Sequence, residues 1–231
     1  MSAHPRVASV HALDAGVGDG LLADAQVFAE LDCRAVSIAT AVVGMEPLPP
    51  SLVLRQIEAA TRTEGIAAAR IGYVRGEEQV ELLGELIGTA AKEASVVSWS
   101  GLDAETREAM LRHVVPRARV VVARASDQTQ DGGRDIVDLE ELRAAAADLR
   151  NRGAKAVVLC GLILRGRVID LLDDGGSVVV LDTARVQAKR VDGLAGAHAA
   201  ALAAHLARGL TLAQAAEAAQ RYVGFRLRRG R

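Results

Sequence analysis

Val191-Asp192-Gly193-Leu194-Ala195-Gly196 runs directly into Ala197-His198-Ala199-Ala200-Ala201-Leu202-Ala203-Ala204-His205-Leu206-Ala207-Arg208-Gly209. Small residues occupy the junction and strong helix formers follow, so the stretch reads as a loop turning into a helix. The first N–H groups of a helix have no partner within it and lie at the positive end of its dipole, which suits a phosphate. The same residues also suit an architectural role, in which an alanine helix packs closely beneath a sheet and Gly193 and Gly196 only shape the turn. His198 and His205 are seven residues apart, roughly 10 Å along the axis, too far to share one small metal ion. They read as structural or exposed histidines.

At 231 residues and 50% apolar, the chain can bury one sizeable core, and one domain is expected over 5–225, with a basic tail from Arg226 onward. A net charge of −1 and only two Phe, two Tyr and one Trp offer neither the field nor the stacking platform for nucleic acid. Cys33 and Cys160 lack metal-ligand spacing and fit a reducing compartment. No apolar run reaches the length of about 18 residues that a membrane span needs. A cytoplasmic protein with no membrane or nucleic-acid partner is the expectation.

Upstream, apolar runs alternate with helical periods. Residues 6–13 read as a strand, 14–20 (Asp-Ala-Gly-Val-Gly-Asp-Gly) as a glycine-rich turn, and 21–31 as a helix, the opening of an α/β unit. Further buried strands are expected at 35–43, 66–74, 95–99, 119–122 and 156–161, with helices between them. Residues 168–181 read as a hairpin with a polar turn, and a last helix runs from Thr211 to about Val223. In open α/β sheets ligands sit outside the carboxyl ends of the strands, which places Trp99 beside a site or, equally, as a core anchor.

In order along the chain, these stretches resemble the hydroxymethylpyrimidine (phosphate) kinases of the ribokinase-like superfamily. The family's Gly-Thr-Gly-Cys segment falls on Gly193, Leu194, Ala195 and Gly196, so the anion hole of residues 193–197, Ala197 included, keeps its small residues. Gly196 stands where the catalytic Cys, or Asp in other branches, would be. The family segment Gly-Ser-Asp-Pro-Ser-Gly-Gly-Ala-Gly-Ile-Gln-Ala-Asp places its first Asp on Asp14, its last Gly on Gly20 and its substrate-holding final Asp on Asp24. Asp24 is equally well placed as a first-turn carboxylate favoured by the helix dipole. The pyrimidine-reading Gln falls on Met45, whose thioether cannot donate a hydrogen bond. Arg70 replaces a Lys, and Tyr73 replaces a substrate-side Met. On the nucleotide side, Arg124 replaces Asn, Cys160 replaces Lys, and Asp127 takes the place of the Glu that helps hold Mg²⁺. Cys160 reads as a buried thiol with nothing nearby to activate it.

The resemblance implies a three-layer α/β domain with a mostly parallel sheet of about eight strands and helices on both faces, and a homodimer. It implies binding of a small heterocyclic ligand or phosphate, with ATP and Mg²⁺ if the chain is active. With no side chain at Gly196 the expected function is that of a catalytically impaired kinase relative acting as ligand binder or partner protein. The alternative is an active ATP-dependent kinase of a hydroxymethyl pyrimidine or related alcohol, with Asp192 or Asp127 taking over proton or metal work.

Overall fold

The structure is a computed structural model and describes residues 4–14, 18–42, 47–62, 65–89, 95–98, 102–129, 135–187 and 193–229. Strand and helix alternate from the start: β1 (Arg6–Leu13), α1 (Leu21–Glu30), β2 (Arg34–Val42), α2 (Pro50–Thr61), β3 (Ala68–Ile71), α3 (Glu77–Thr89), β4 (Ser95–Ser98), α4 (Ala104–His113), β5 (Val120–Arg124) and α5 (Leu139–Asn151). Then come β6 (Val157–Leu164), β7 (Arg167–Asp173), β8 (Val178–Ala184), α6 (Leu194–Ala207) and α7 (Leu212–Arg229). Pro50 opens α2 and Asp103 caps α4, its carboxylate accepting the Thr106 N–H at 2.8 Å, as helix-start chemistry requires.

The sheet order is β2-β1-β3-β4-β5-β6-β7-β8, parallel as far as β6 and antiparallel across the last two pairs. Eight strands with helices on both faces are the architecture the resemblance implies. Successive strand residues alternate between two cores, as a period of two demands: Val97 and Val121 face α2, α3, α4 and α5, while Val96, Val120 and Val122 face α1, α6 and α7. The chain leaves β1 for β2 in one direction and crosses back for β3 in the other. The carboxyl ends of β1 and β3 therefore flank a topological switch point, where α/β sheets bind ligands.

Helix α6 is apolar nearly all round, and residues 199–204 are all fully buried beneath the sheet and against α1 and α7. Alanine is what permits this close central packing, so the architectural reading of the stretch holds together with any role for its first turn.

Two boundaries differ from expectation. The hairpin at 168–181 is present as β7–β8, but β6 runs on past Gly161 and folds back into β7 through Arg165 and Gly166, both at positive φ (49° and 76°), the conformation of a two-residue hairpin turn. The basic run expected as a tail from Arg226 is the last part of α7. Arg226, Arg228 and Arg229 favour the helix intrinsically, and as cations they suit its negative C-terminal end. Among the described residues no helix is long and apolar enough to cross a membrane.

Candidate active site

A cavity of about 650 Å³ opens beside the first turn of α6, at the carboxyl ends of the central strands. Gly193 enters the turn at φ 76°, and a Cβ there would overlap the carbonyl oxygen of Gly18 and lie 3.2 Å from the Asp19 nitrogen. Only glycine lets the two loops come this close. The first closed helical bond is Ala197 N–H to Gly193 C=O at 2.8 Å, and no side chain caps the helix. The N–H groups of Leu194, Ala195 and Gly196 are thus the three ahead of the helical bonding pattern. Ala197 spends its N–H within the helix and does not line the cavity, so it drops out of the expected anion hole.

Of the other expected site residues, Tyr73, Arg124 and Cys160 line the cavity, whereas Asp14, Gly20, Asp24 and Asp127 do not. Met45, Trp99 and Asp192 lie outside the described residues. Asp24 is 1% exposed: Ser9 Oγ donates to its Oδ2, and Arg70 Nη1 stands 3.1 Å from the same oxygen. Burial drives the Asp24 carboxyl well above the ordinary carboxylate range, against the Ser9 hydrogen bond, and pushes the fully buried Arg70 guanidinium down to about 9. Asp24, expected to hold the substrate, stands here as a buried partner of Arg70 outside the lining of the cavity. Asp127 is likewise engaged: Arg124 Nε and Nη2 approach its two oxygens at 3.0 and 2.9 Å in a bidentate pair. A carboxylate held this way does not fit a magnesium ligand. Among the described residues the one group with metal-ligand geometry, Glu77, Glu81 and His113, lies outside the cavity. Cys160 is buried, which pushes its thiol pKa up and leaves it inert as a nucleophile.

The cavity's polar wall comes from residues that local sequence reading passed over. Asp19, in the loop before α1, is 45% exposed and lines the cavity. Its Oδ1 accepts the Gly20 N–H at 2.9 Å and faces Arg70 Nη2 at 3.5 Å and His11 Nε2 at 3.6 Å. The Ala12 N–H donates to His11 Nδ1 at 2.7 Å, so the neutral ring carries its proton on Nε2, the nitrogen turned to Asp19. Gly72 makes room for this cluster, since a Cβ there would overlap both the His11 ring and Arg70 Nη1. Most telling is Gly196: a Cβ built on it would overlap Asp19 Oδ1 and stand 2.9 Å from the Asp19 carboxyl carbon. Opposite, Asp170 of β7 accepts the Gly161 N–H at 2.8 Å through Oδ1, with Oδ2 3.3 Å from the buried His198 Nε2. The sequence held one signal for Asp19, a carboxylate in the turn after the first strand. His198 and Asp170 meet across 28 residues and gave none.

The sequence model of phosphomethylpyrimidine kinase matches residues 14–230, nearly the whole chain. The chain belongs to the phosphomethylpyrimidine kinase family. The hydroxymethylpyrimidine/phosphomethylpyrimidine kinase of Rhizobium meliloti is 29% identical over 93% of this chain and 87% of its own length. That of Streptomyces coelicolor is 29% identical over 95% and 87%. Among solved structures, the pyridoxal kinase of Staphylococcus aureus in complex with AMP-PCP and pyridoxal superposes with a TM-score of 0.89 at 28% identity, covering 98% of this chain and 88% of that one. The chain is therefore similar both to kinases of hydroxymethylpyrimidine and to a kinase of pyridoxal.

Proposed function

We propose that this protein is an ATP-dependent kinase of a small heterocyclic alcohol, of the hydroxymethylpyrimidine or pyridoxal class. The observation that carries this reading is the first turn of α6, whose residues Leu194, Ala195 and Gly196 line the cavity and have N–H groups ahead of the helical bonding pattern. Phosphoryl transfer asks the protein chiefly for positioning and charge stabilisation. Leu194, Ala195 and Gly196 offer backbone donors and the positive end of the α6 dipole to phosphate oxygens. Arg124, half-exposed in the cavity, adds a cation on the same side as β5. Tyr73 and the apolar residues of α7, Val223 and Leu227, supply walls for a flat ring. The S. aureus structure supports the pairing, since it holds an ATP analogue together with a heterocyclic alcohol.

A second reading, binding without turnover, is favoured by Gly196, which brings no side chain to the place of the family's acceptor, and by the closed Arg124–Asp127 pair. A thermal-shift series with ATP, ADP, hydroxymethylpyrimidine, its phosphate and pyridoxal, followed by a coupled ADP-release assay on whatever binds, separates the two. Sustained release near 1 s⁻¹ or faster, in the ordinary enzymatic range of about 1–10³ s⁻¹, supports the kinase. Ligand-induced stabilisation with no release supports the binder.

A further inference from the structure

We propose that Asp19, delivered by the loop between β1 and α1, is the proton acceptor of the transfer, its carboxylate standing where a side chain at position 196 would begin. This rests on the kinase reading above and names the group that reading lacks. The geometry is reciprocal. A Cβ on Gly196 would overlap Asp19 Oδ1, so a side chain there and Asp19 in its present place exclude each other. The same methyl would lie 3.3 Å from Arg70 Nη2, so the vacated space is closed by the Asp19–Arg70 pair rather than left empty. The sequence carries the same exchange at two positions: where the family segment has Ala ahead of its last Gly this chain has Asp19, and where the family has Cys it has Gly196.

The Asp19 hydrogen bond to Gly20 and its close approaches to His11 and Arg70 all run through Oδ1. These hold the carboxylate through one oxygen at the wall of the cavity beside the first turn of α6, so Oδ2 carries none of these contacts. In the reaction the substrate hydroxyl gives its proton to Asp19 while its oxygen attacks the γ-phosphorus of the nucleoside triphosphate. The bond from that phosphorus to the β–γ bridging oxygen breaks, the nucleoside diphosphate leaves, and Asp19 returns the proton to solvent. Burial raises the Asp19 pKa, while the Gly20 N–H and the charge of Arg124 lower it and Asp14 raises it further. His11, Arg70 and the buried Asp24 complete the titratable groups around it. A carboxylate whose pKa is raised by burial is a stronger base than one in water.

The test is steady-state ADP release by the full chain with the alcohol that supports turnover, for wild type, Asp19→Asn, and the transposed pair Asp19→Ala with Gly196→Asp. The expected result is a fall in kcat of about 10²–10⁴ for Asp19→Asn, the usual span for a lost base. KM and the thermal shift given by ADP should stay within about threefold and 1 °C of wild type. The wild-type profile should show an acid limb above about pH 4, the ordinary carboxylate value, and Asp19→Asn should lack it. The transposed pair should recover at least tenfold over Asp19→Asn, because it returns a carboxylate from the other side of the same space. A kcat for Asp19→Asn within threefold of wild type, or no recovery in a folded transposed variant, overturns the assignment and leaves the kinase reading standing. Absence of any wild-type ADP release, with nucleotide binding intact, removes the kinase reading and Asp19's role with it.

Discussion

Asp24 Oδ2 lies 3.1 Å from Arg70 Nη1, and each of the two residues is 1% exposed. A carboxylate and a guanidinium withdrawn from water in this way depend on each other, because removing Arg70 leaves Asp24 only the Ser9 hydroxyl and removing Asp24 leaves Arg70 only the half-exposed Asp19.

Asp24→Asn is therefore expected to act on folding. Breaking a buried pair from one side costs about 3–5 kcal/mol, whereas replacing both partners by apolar residues of similar volume is often close to neutral. Urea unfolding of Asp24→Asn, Arg70→Met and the double variant Asp24→Leu/Arg70→Met should show two strongly destabilised singles and a double milder than their sum. Singles that unfold like wild type but lose ligand affinity would return Asp24 to the substrate.

Gly72→Ala should destabilise by about 1–3 kcal/mol, the usual cost of forcing an extra methyl into a packed site. The methyl meets the His11 ring and Arg70 Nη1 rather than a flexible surface chain. Since those two groups hold Asp19, turnover should fall with stability, and a denaturant midpoint equal to wild type would contradict the packing described here.

Phosphate, ATP or ADP should raise the melting temperature through the first turn of α6, the stabilisation growing with the logarithm of ligand concentration over its dissociation constant. Ala195→Asp places a competing carboxylate among the same N–H groups. It should abolish the ligand-induced shift while leaving the unliganded protein within about 1 kcal/mol of wild type, since an acidic residue in the first turn suits the helix dipole. An unchanged shift would move the anion site elsewhere.

Asp103 provides a pH test away from the cavity. Its pKa is lowered, first by the Thr106 N–H it accepts and then by Arg75, whose Nε is 3.3 Å away. A depressed carboxyl stabilises the fold above its unfolded pKa of about 3.9 and loses that contribution as pH falls through the lower folded value. Asp103→Ala should thus cost about 0.5–2 kcal/mol at pH 7, the usual worth of a helix N-cap, and the gap to wild type should narrow as pH falls below the ordinary carboxylate value of about 3.9. A gap that stays constant from pH 7 down through the acid range in which wild type itself loses stability would mean that the cap acts through shape rather than charge.

Local pattern determined a good deal of this protein. The apolar runs and helical periods fix the alternation of strand and helix, Asp103 and Pro50 mark helix starts, and the alanine stretch from Ala197 identifies a buried helix with a bare first turn. These features depend on residues a few positions apart, where backbone geometry and side-chain periodicity decide the outcome. The chemistry of the site depended on tertiary structure. Asp24 looked like a ligand contact until strand β3 brought Arg70 against it, and Gly196 looked like a loss until the loop after β1 brought Asp19 to the same place. Asp127 looked free for a metal, yet its neighbour Arg124 closes on both oxygens because the turn after β5 folds one over the other. Residues 19 and 196, or 24 and 70, meet only because the chain crosses back between β2 and β3 and α6 runs beneath the switch point. Burial and pairing at that crossing set which carboxylates are charged, which are spent on folding and which face the cavity, and none of these is a property of a residue and its sequence neighbours alone.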